Sequence, residues 1–337
     1  MARDATTRES LLPVGVMLPT RNCREGLPAH LAAIEEWLPE VQEIVVVDSD
    51  STDGTLEFLQ QNLRHPRIQF LSHPPGLYES WNCGLERIRA RYTYIATVGD
   101  AAPATTLRGL VSVAEQHSAD AVVSPPDFVD HHGKPLVRQW PIHHLLSQPG
   151  ARKASLLSAW EWFAWAVMYL PGSLLGSSAS NVYRTDYMQR HPFPLGYGHA
   201  CDTAWALANA FEARIAVAPD LHSLFWVHGT GQAETRETHM RHMFRLTDLA
   251  YAMMRAQPEV GPIEPERREL VRLLSVCLEE LRFKASAKMV YRGLRRPWFP
   301  WFLQPSAARQ RLESNRSKAR LNSMRADIVS CLSAEKP

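Results

Sequence analysis

The strongest constraint on the fold is a regular alternation of two kinds of segment over the first 126 residues. Short runs rich in Val and Ile alternate with segments whose apolar residues recur at helical spacing. The predicted strands are Val14–Pro19, Glu43–Asp48, Ile68–Ser72, Tyr92–Val98 and Ala121–Ser124, and the predicted helices are Leu27–Leu38, Thr55–Leu63, Leu77–Arg89 and Ala104–Gln116. The alternation predicts an α/β fold with a mainly parallel sheet and flanking helices.

Polar residues follow three of the predicted strands at the point where each strand ends. Pro19-Thr20-Arg21-Asn22 follows the first strand, the acidic and hydroxylic stretch 48–55 follows the second, and Gly99-Asp100 follows the fourth. Ligands of open α/β sheets bind at the carboxyl ends of the strands, so we expect a polar site along this edge. The chain contains neither GxGxxG after its first strand nor GxxxxGK[ST], which argues against dinucleotide and P-loop folds.

In combination, these motifs resemble glycosyltransferase family 2, the inverting GT-A group. Pro19-Thr20-Arg21-Asn22 is similar to the family's P-[TS]-x-N, and EIVVVDSDSTDGT at 43–55 is similar to its EIIVVDDGSTDGT. An N-x-G at 82–84 and a strand ending in TYIATVGD at 93–100 complete the likeness. The resemblance implies a GT-A-like fold. It also implies transfer of a sugar, with inversion, from a nucleotide-diphosphate sugar to an acceptor hydroxyl, in the synthesis of surface polysaccharide or another glycoconjugate.

The resemblance also assigns residues to the donor. Asp48, which ends the second strand, inherits the role of holding the base or ribose of the nucleotide. The residues that the motifs place at the donor are Pro19, Thr20, Asn22, Asp48, Ser51, Asn82, Gly99 and Asp100. The alternative for the stretch 48–53 is a turn that only caps the following helix.

The fourth strand departs from the family pattern. The family's D-x-D motif holds a divalent metal on the donor diphosphate, whereas this chain has Gly99-Asp100-Ala101 with one acid. Asp100 is the predicted ligand of Mg²⁺ or Mn²⁺, and the single carboxylate leaves metal dependence open. Family members with another metal geometry use a later His, which corresponds to His228 here. The alternatives are a helix cap for Asp100 and a structural role for His228.

The catalytic base is expected in a later segment. The family places it in an [ED]-D pair after a Gly-containing loop, and the corresponding segment is PFPLGYGHACDTAWALANAF at 192–211. Asp202 is then the base that takes the proton of the acceptor hydroxyl, with Cys201 in place of the usual first acid. His199 is a second candidate. The alternative for Asp202 is the N-cap of a helix over 203–211.

Aromatic residues are dense in the middle of the chain. Trp140, Trp160, Trp162, Trp165 and Tyr169 could form a platform for an acceptor, or they could pack a helix against the core. We assign acceptor binding to Trp160, Trp165 and His199. The apolar stretch 156–175 is interrupted by Glu161 and Pro171-Gly172, which favours a buried or interfacial helix over a membrane crossing.

A basic region lies near the C-terminus. Between Arg282 and Arg325, twelve Lys and Arg residues stand against the single acid Glu313, and RRPWFPWFLQP lies within this run. Such a region suits peripheral contact with an anionic membrane and an acceptor carried on a lipid, or it is a solvated basic face. The overall charge of +2 and the lack of a nucleic-acid-binding motif argue against a nucleic-acid partner.

The cysteines and the first residues indicate the cellular compartment. Five widely spaced cysteines without a CxxC pair are predicted to be free thiols, and the segment MARDATTRESLL does not resemble a signal peptide. We therefore expect a cytoplasmic protein, at the inner face of the membrane if the basic region binds lipid.

The predicted organisation has four parts. They are a flexible tail at 1–12, a nucleotide-sugar-binding α/β half at 13–127, an acceptor-binding and catalytic half at 128–233, and a helical basic region at 234–337. The stretch 127–149, rich in His, Pro and Gly, is expected to be a long loop. Two alternatives to the glycosyltransferase stay open. One is an inactive nucleotide-sugar-binding or assembly subunit of the same fold. The other is a nucleotidyltransferase, although this chain lacks the Gly-rich loop with a basic residue that usually follows the first strand of those enzymes.

Overall fold

The computed structural model describes residues 11–130, 132–148, 153–227, 236–257, 265–294 and 307–334. The strands are β1 Leu12–Thr20, β2 Val41–Asp48, β3 Ile68–Ser72, β4 Tyr92–Ile95, β5 Asp100–Ala101, β6 Ala121–Val123, β7 Pro126–Val129, β8 Pro135–Leu136, β9 Ser155–Leu156, β10 Asn181–Arg184, β11 Ile215–Val217 and β12 Ser223–Trp226. The helices are α1 Leu27–Ile34, α2 Thr55–Asn62, α3 Leu77–Leu85, α4 Ala104–His117, α5 Pro141–Leu146, α6 Ala159–Met168, α7 Thr185–Arg190, α8 Cys201–Ala208, α9 Arg236–Arg255, α10 Pro265–Leu294 and α11 Ala307–Ala334.

The chain forms two compact units. Unit 1 comprises Met1–Leu157, Leu175–Phe193 and Ala213–Gly229, and unit 2 comprises Ser158–Leu174, Pro194–Glu212 and Thr230–Pro337. The twelve strands of the described residues all belong to unit 1, and the described elements of unit 2 are helical. The four-part division at 12, 127 and 233 stays a prediction.

Unit 1 is built on an eight-stranded sheet in the order β3-β2-β1-β4-β10-β6-β11-β9. β3, β2, β1 and β4 are parallel, as are β6 and β11, whereas β10 and β9 run antiparallel to their neighbours. The predicted α/β class, with a mainly parallel sheet, flanking helices and a helical C-terminal region, is confirmed. The five predicted strands and four predicted helices of the first 126 residues are all present, with ends shifted by a few residues.

Both faces of the central strands are buried, which explains their apolar sequence. Ile44 and Val46 point into one core cluster, and Val45 and Val47 point into a second cluster on the other face. Gly84 in α3 allows this helix to approach the sheet, because an added Cβ would lie 2.7 Å from Met17 and 2.8 Å from Val47. The Gly of the N-x-G motif therefore has a packing role.

A smaller sheet in unit 1 has the order β5-β12-β7-β8. Its strands β7 and β8, together with α5, occupy the stretch 127–149, so the prediction of a long loop there is wrong. Local pattern did not reveal β7 because this strand pairs with β12, about a hundred residues later in the chain, and β8 in turn pairs with β7. The strand that carries Asp100, β5, is the edge strand next to β12.

Unit 2 is built from α6 and α8 to α11, with α10 packed against α9, α11 and α6, and α6 against α8. The apolar stretch 156–175 forms the ten-residue helix α6, which ends before the cis Leu170–Pro171 bond. Among the helices of the described residues, none combines the length and apolar character needed to cross a membrane.

Candidate active site

A hydrogen-bonded network joins the ends of β1 and β2. Thr20 and Asp48 are paired in register, and the Thr20 hydroxyl donates to Asp48 Oδ1 at 3.0 Å. The Ser51 hydroxyl donates to the same oxygen at 2.6 Å, and the Ser51 N–H donates to Oδ2 at 2.9 Å. Asp48 and Thr20 are buried. The network fixes the Asp48 carboxylate at the carboxyl end of the parallel sheet, where the sequence predicted a ligand site.

The two family-like motifs interlock at this edge. Asn22 donates its backbone N–H to the Ser51 hydroxyl at 2.9 Å, and its side-chain Oδ1 accepts the N–H of Thr52 at 2.8 Å. Asn22 and Asp50 adopt left-handed backbone conformations, with φ of 46° and 51°. Asp50 stands where the family motif has Gly, and Asp is among the residues that tolerate this conformation. The departure at position 50 therefore preserves the turn.

Pro19 and Asn82 have structural roles in the same unit. Pro19 is buried in β1 opposite Val47. The Asn82 amide donates to the carbonyl oxygen of Phe193 at 2.9 Å, and Asn82 Oδ1 accepts the Phe193 N–H at 3.0 Å. This pair of bonds ties α3 to the chain after α7, and the assignment of both residues to the donor stays a prediction.

Asp100 lies at the start of β5 and is only 6% exposed. The hydroxyl of Ser177 donates to Asp100 Oδ2 at 3.0 Å. Burial raises the pKa of Asp100 to about 7, against the lowering effect of the hydrogen bonds from Ser177 and from the backbone of Trp226. Gly99 has φ of 99°, a conformation that favours glycine at the turn into β5.

Two aromatic residues that the sequence analysis did not select hold the chain just after Asp100. The indole N–H of Trp37 donates to the Ala102 carbonyl at 2.9 Å, and the Ala102 N–H donates to the Tyr94 hydroxyl at 3.1 Å. Trp37 and Tyr94 meet edge to face, with their ring centroids 5.6 Å apart. Both polar groups of Ala102 are thus satisfied in a buried environment, which fixes the position of β5. No local sequence signal marks such residues, because they act through tertiary contact.

Asp100 fits a divalent cation in one respect. Its carboxylate is a hard oxygen ligand, and a cation would offset the cost of burying its charge. In the part of the chain that the structure describes, no group of three or more His, Cys, Asp or Glu is arranged around a metal position. His228 lies outside the described residues. Asp100 could therefore serve as one ligand, with phosphate and water oxygens completing the shell.

Asp202 belongs to unit 2. It lies in the first turn of α8, which begins at Cys201 and has Ala200 as its N-cap, so the predicted cap at Asp202 of a helix over 203–211 is wrong by about two residues. Asp202 is half-buried, and its Oδ1 accepts the N–H of Thr203 at 2.7 Å. Cys201 is buried and its thiol donates to Gly198 O at 3.1 Å. The role of Asp202 as the base stays a prediction.

The residues assigned to the acceptor also lie in unit 2. Trp165 is 3% exposed and stacks on Tyr169, with ring centroids 5.7 Å apart. Trp160 is half-buried and packs edge to face on Phe211 at 4.9 Å. His199 is exposed. Packing accounts for the position of both indoles, which is the alternative that the sequence left open.

Part of the basic C-terminal region is described. Arg316, Lys318 and Arg320 are exposed on α11. The segment RRPWFPWFLQP, on which the expected membrane contact depends, lies outside the described residues. Arg325 is used structurally, since its guanidinium donates twice to the Met168 carbonyl, at 3.0 and 2.8 Å.

Comparison with known proteins agrees with this architecture. Residues 15–167 match the model of the family described as glycosyl transferase family 2. The Staphylococcus aureus TarS fragment 1–349 in complex with UDP-GlcNAc is similar in structure, with a TM-score of 0.57 and 17% identity over 77% of this chain and 70% of that chain. Mannosyltransferase PcManGT from Pyrobaculum calidifontis, in complex with GDP-Man and Mn²⁺, has a TM-score of 0.50 and 16% identity over 95% and 86% of the two chains.

No curated protein sequence matches the chain. The structural similarity to these proteins shows a shared fold, which is the GT-A fold of glycosyltransferases. The match of residues 15–167 to the model of glycosyl transferase family 2 confirms the resemblance inferred from the motifs.

Proposed function

We propose that the chain transfers a sugar from a nucleoside-diphosphate sugar to an acceptor hydroxyl with inversion. The observation that carries this proposal is the Thr20–Asp48–Ser51 network at the carboxyl ends of β1 and β2. It presents a fixed carboxylate at the sheet edge where α/β proteins bind nucleotides. Asp48 then holds the base or ribose, next to the motif residues Thr20, Asn22 and Ser51.

The chemical step requires a proton acceptor. Asp202 accepts the proton of the acceptor hydroxyl as that oxygen forms a bond to the anomeric carbon. The bond from the anomeric carbon to the diphosphate oxygen breaks, and its electron pair leaves with the nucleoside diphosphate. A bound Mg²⁺ or Mn²⁺ would offset the negative charge that develops on the diphosphate. Asp100 is the described residue that we assign as its ligand, and His228 is a further candidate. Trp160 and His199 are retained as acceptor contacts.

The proposed setting is polysaccharide or glycoconjugate synthesis in the cytoplasm. The basic surface of α11 supports peripheral contact with an anionic membrane, which would bring the site to a lipid-linked acceptor. Flotation with phosphatidylserine vesicles tests this contact. Replacing the exposed residues Arg316, Lys318 and Arg320 together by Gln should lower flotation, and equal flotation of the two forms would remove the membrane from the proposal.

A catalytically inactive subunit is the second candidate. Two departures from the family pattern favour it, namely the single acid at Gly99-Asp100-Ala101 and the Cys201 that replaces an acid. Such a protein would bind a nucleotide sugar through the same network but would release no nucleoside diphosphate in the presence of any acceptor.

Ligand-dependent melting distinguishes these functions from an unrelated one. The full chain is heated with UDP, GDP, UDP-GlcNAc or GDP-mannose, each with Mn²⁺, Mg²⁺ or EDTA. A ligand that binds only the folded protein raises the melting temperature by mass action, by an amount that grows with its concentration over Kd. A rise in the melting temperature with either the uridine or the guanosine nucleotides supports donor binding. If no nucleotide or nucleotide sugar shifts the transition, the proposal fails.

A further inference from the structure

A cluster of aromatic rings lies on the small sheet of unit 1, beside Asp100. In the β5–β12 pair Phe225 is directly opposite Asp100, and in the β12–β7 pair Phe128 is directly opposite Phe225. Residues paired in this way carry their side chains on the same face of a sheet. Asp100, Phe225 and Phe128 therefore form one row across three strands.

Trp140 completes this cluster. Its ring meets Phe128 and Phe225 edge to face, with centroids 4.8 and 4.7 Å apart. Phe128 is only 4% exposed, whereas Trp140 and Phe225 are half-buried. Trp140 and Phe225 are therefore the two members of the cluster that are accessible to a ligand.

The chain between Leu175 and Ser177 links Trp140 to Asp100. A Cβ on Gly176 would lie 3.2 Å from Cε3 of Trp140, so the backbone runs against the indole. The next residue, Ser177, donates its hydroxyl to Asp100 at 3.0 Å. One residue therefore separates the contact to the aromatic ring from the contact to the carboxylate.

The backbone of Trp140 is held in place without a ligand. The backbone N–H of Trp140 donates to His143 Nδ1 at 3.0 Å, so His143 carries its hydrogen on Nε2 and donates it to the Pro126 carbonyl, also at 3.0 Å. Trp140 is the residue before α5, and its carbonyl accepts the His143 N–H at 3.0 Å. The ring itself packs against Phe128, Phe225 and the backbone at Gly176, and a side chain restrained in this way loses little conformational entropy when it contacts a ligand.

We infer that Trp140 and Phe225 form the subsite for the hexose ring of the donor. A pyranose has a face of C–H groups and a rim of hydroxyls, so a fixed aromatic surface beside a carboxylate matches both. The inference rests on the proposed function, in which Asp100 lies at the donor diphosphate. The hexose is bonded to that diphosphate and so lies next to Asp100. The aromatic subsite for the donor sugar then belongs to unit 1 and is separate from Trp160 and Trp165, which the sequence assigned to the acceptor.

The test compares each nucleotide with its nucleotide sugar by titration calorimetry. The probes are UDP against UDP-GlcNAc and GDP against GDP-mannose, on the full chain. In Trp140→Ala the Kd of the nucleotide sugar, relative to that of the nucleoside diphosphate, should rise about three- to tenfold, as expected for the loss of one aromatic contact. The Kd of the nucleoside diphosphate itself should stay within about twofold. Trp140→Phe and Phe225→Leu should change the ratio in the same direction by smaller factors.

A matched control is Phe283→Ala, since Phe283 is 65% exposed on α10 of unit 2. This variant should change neither Kd. Retained binding of the nucleoside diphosphate shows that a variant is folded, and Phe225→Leu decides the question if Trp140→Ala does not fold. The subsite is overturned, while the proposed function stands, if the ratio of the two Kd values is unchanged in Phe225→Leu and Trp140→Phe. It is also overturned if these variants lose equal affinity for the nucleoside diphosphate and for its nucleotide sugar. If the wild-type protein binds none of these nucleoside diphosphates and nucleotide sugars, the proposed function itself is refuted.

Discussion

The Thr20 hydroxyl donates a hydrogen bond of 3.0 Å to the carboxylate of Asp48, its register partner at the end of the neighbouring strand. Two residues 28 positions apart thereby share one point on the sheet edge. Ser51 adds a hydroxyl and an N–H to the same carboxylate, which keeps Asp48 oriented although it is buried. Orientation of this kind is what a nucleotide-binding carboxylate needs, because the carboxylate must stay fixed without the ligand.

Asp48→Ala should weaken nucleoside-diphosphate binding by about ten- to hundredfold, the usual cost of losing a hydrogen bond to a charged group. Calorimetry measures the change in Kd, with the nucleoside diphosphate that gives the larger shift in the melting experiment. Glu57→Gln, an exposed acid on α2, is the control and should bind as the wild type does. An unchanged Kd in Asp48→Ala would show that this acid only shapes the turn.

Asp202→Asn should lower turnover by about 10²- to 10⁴-fold, the range for loss of a general base, while nucleotide affinity stays the same. The release of nucleoside diphosphate in the presence of acceptor gives the rate, and calorimetry gives the affinity. Glu279→Gln replaces an exposed acid of α10 in the same unit and should leave the rate unchanged. Turnover at the wild-type rate in Asp202→Asn would exclude this residue as the base.

Asp100 should make the protein less stable as the pH rises from about 4 to about 7. The folded carboxyl has a pKa of about 7 and the unfolded one has the ordinary value of 3.8, so the native state binds the extra proton in this window. Stability then falls with pH, by up to about 4 kcal/mol in the absence of a cation. Asp100→Asn should therefore raise the melting temperature at pH 8 more than at pH 5. If Asp100→Asn changes the melting temperature equally at pH 8 and pH 5 in the presence of EDTA, the raised pKa of Asp100 is contradicted.

His30 should have the opposite effect on the acid side. It is 2% exposed in α1, and among the described residues neither ring nitrogen has a hydrogen-bond partner. Burial lowers the pKa of His30 from 6.5 to about 4. Between these values the unfolded chain binds more protons, so stability is lost as the pH falls, by up to about 3 kcal/mol.

His30→Leu should remove this acid sensitivity and melt at a higher temperature than the wild type at pH 5. His132→Gln, a substitution of an exposed histidine, should follow the wild-type pH profile. The same loss of stability between pH 6.5 and 4 in His30→Leu would mean that other groups cause it.

Arg325→Lys should destabilise unit 2 by about 1–3 kcal/mol, because a lysine cannot reproduce the two hydrogen bonds to Met168 O and the contact with the Tyr169 ring, now 4.5 Å from the guanidinium carbon. Urea unfolding measures the difference. Arg320→Lys changes an exposed residue 3.7 Å from Glu280 and should cost less than about 1 kcal/mol. Equal effects of the two substitutions would remove the special role of Arg325.

Much of unit 1 could be read from the sequence because its signals are local. A nearly continuous apolar run at Glu43–Asp48 marks a strand buried on both faces, and polar residues at strand ends must meet wherever parallel strands share an edge. The position of the motifs 19–22 and 43–55 at the carboxyl ends of neighbouring strands was therefore predictable from the sequence. Patterns of this kind depend on residues a few positions apart, which the chain displays directly.

Other features depended on contacts between distant segments. Strand β7 exists through pairing with Ser223–Trp226, and the buried carboxylate of Asp100 accepts a hydrogen bond from Ser177, 77 residues later in the chain. Burial raises the pKa of Asp100, whereas the hydrogen bond from Ser177 lowers it. The support of Ala102 by Trp37 and Tyr94, and the aromatic row beside Asp100, follow from the same long-range contacts. The sequence by itself determined the α/β order, the family resemblance and the polar strand ends, because these depend on residues close together in the chain. Only the tertiary structure decided which aromatic rings adjoin Asp100 and how its charge is buried, because burial and cross-strand pairing arise when segments far apart in the chain pack together.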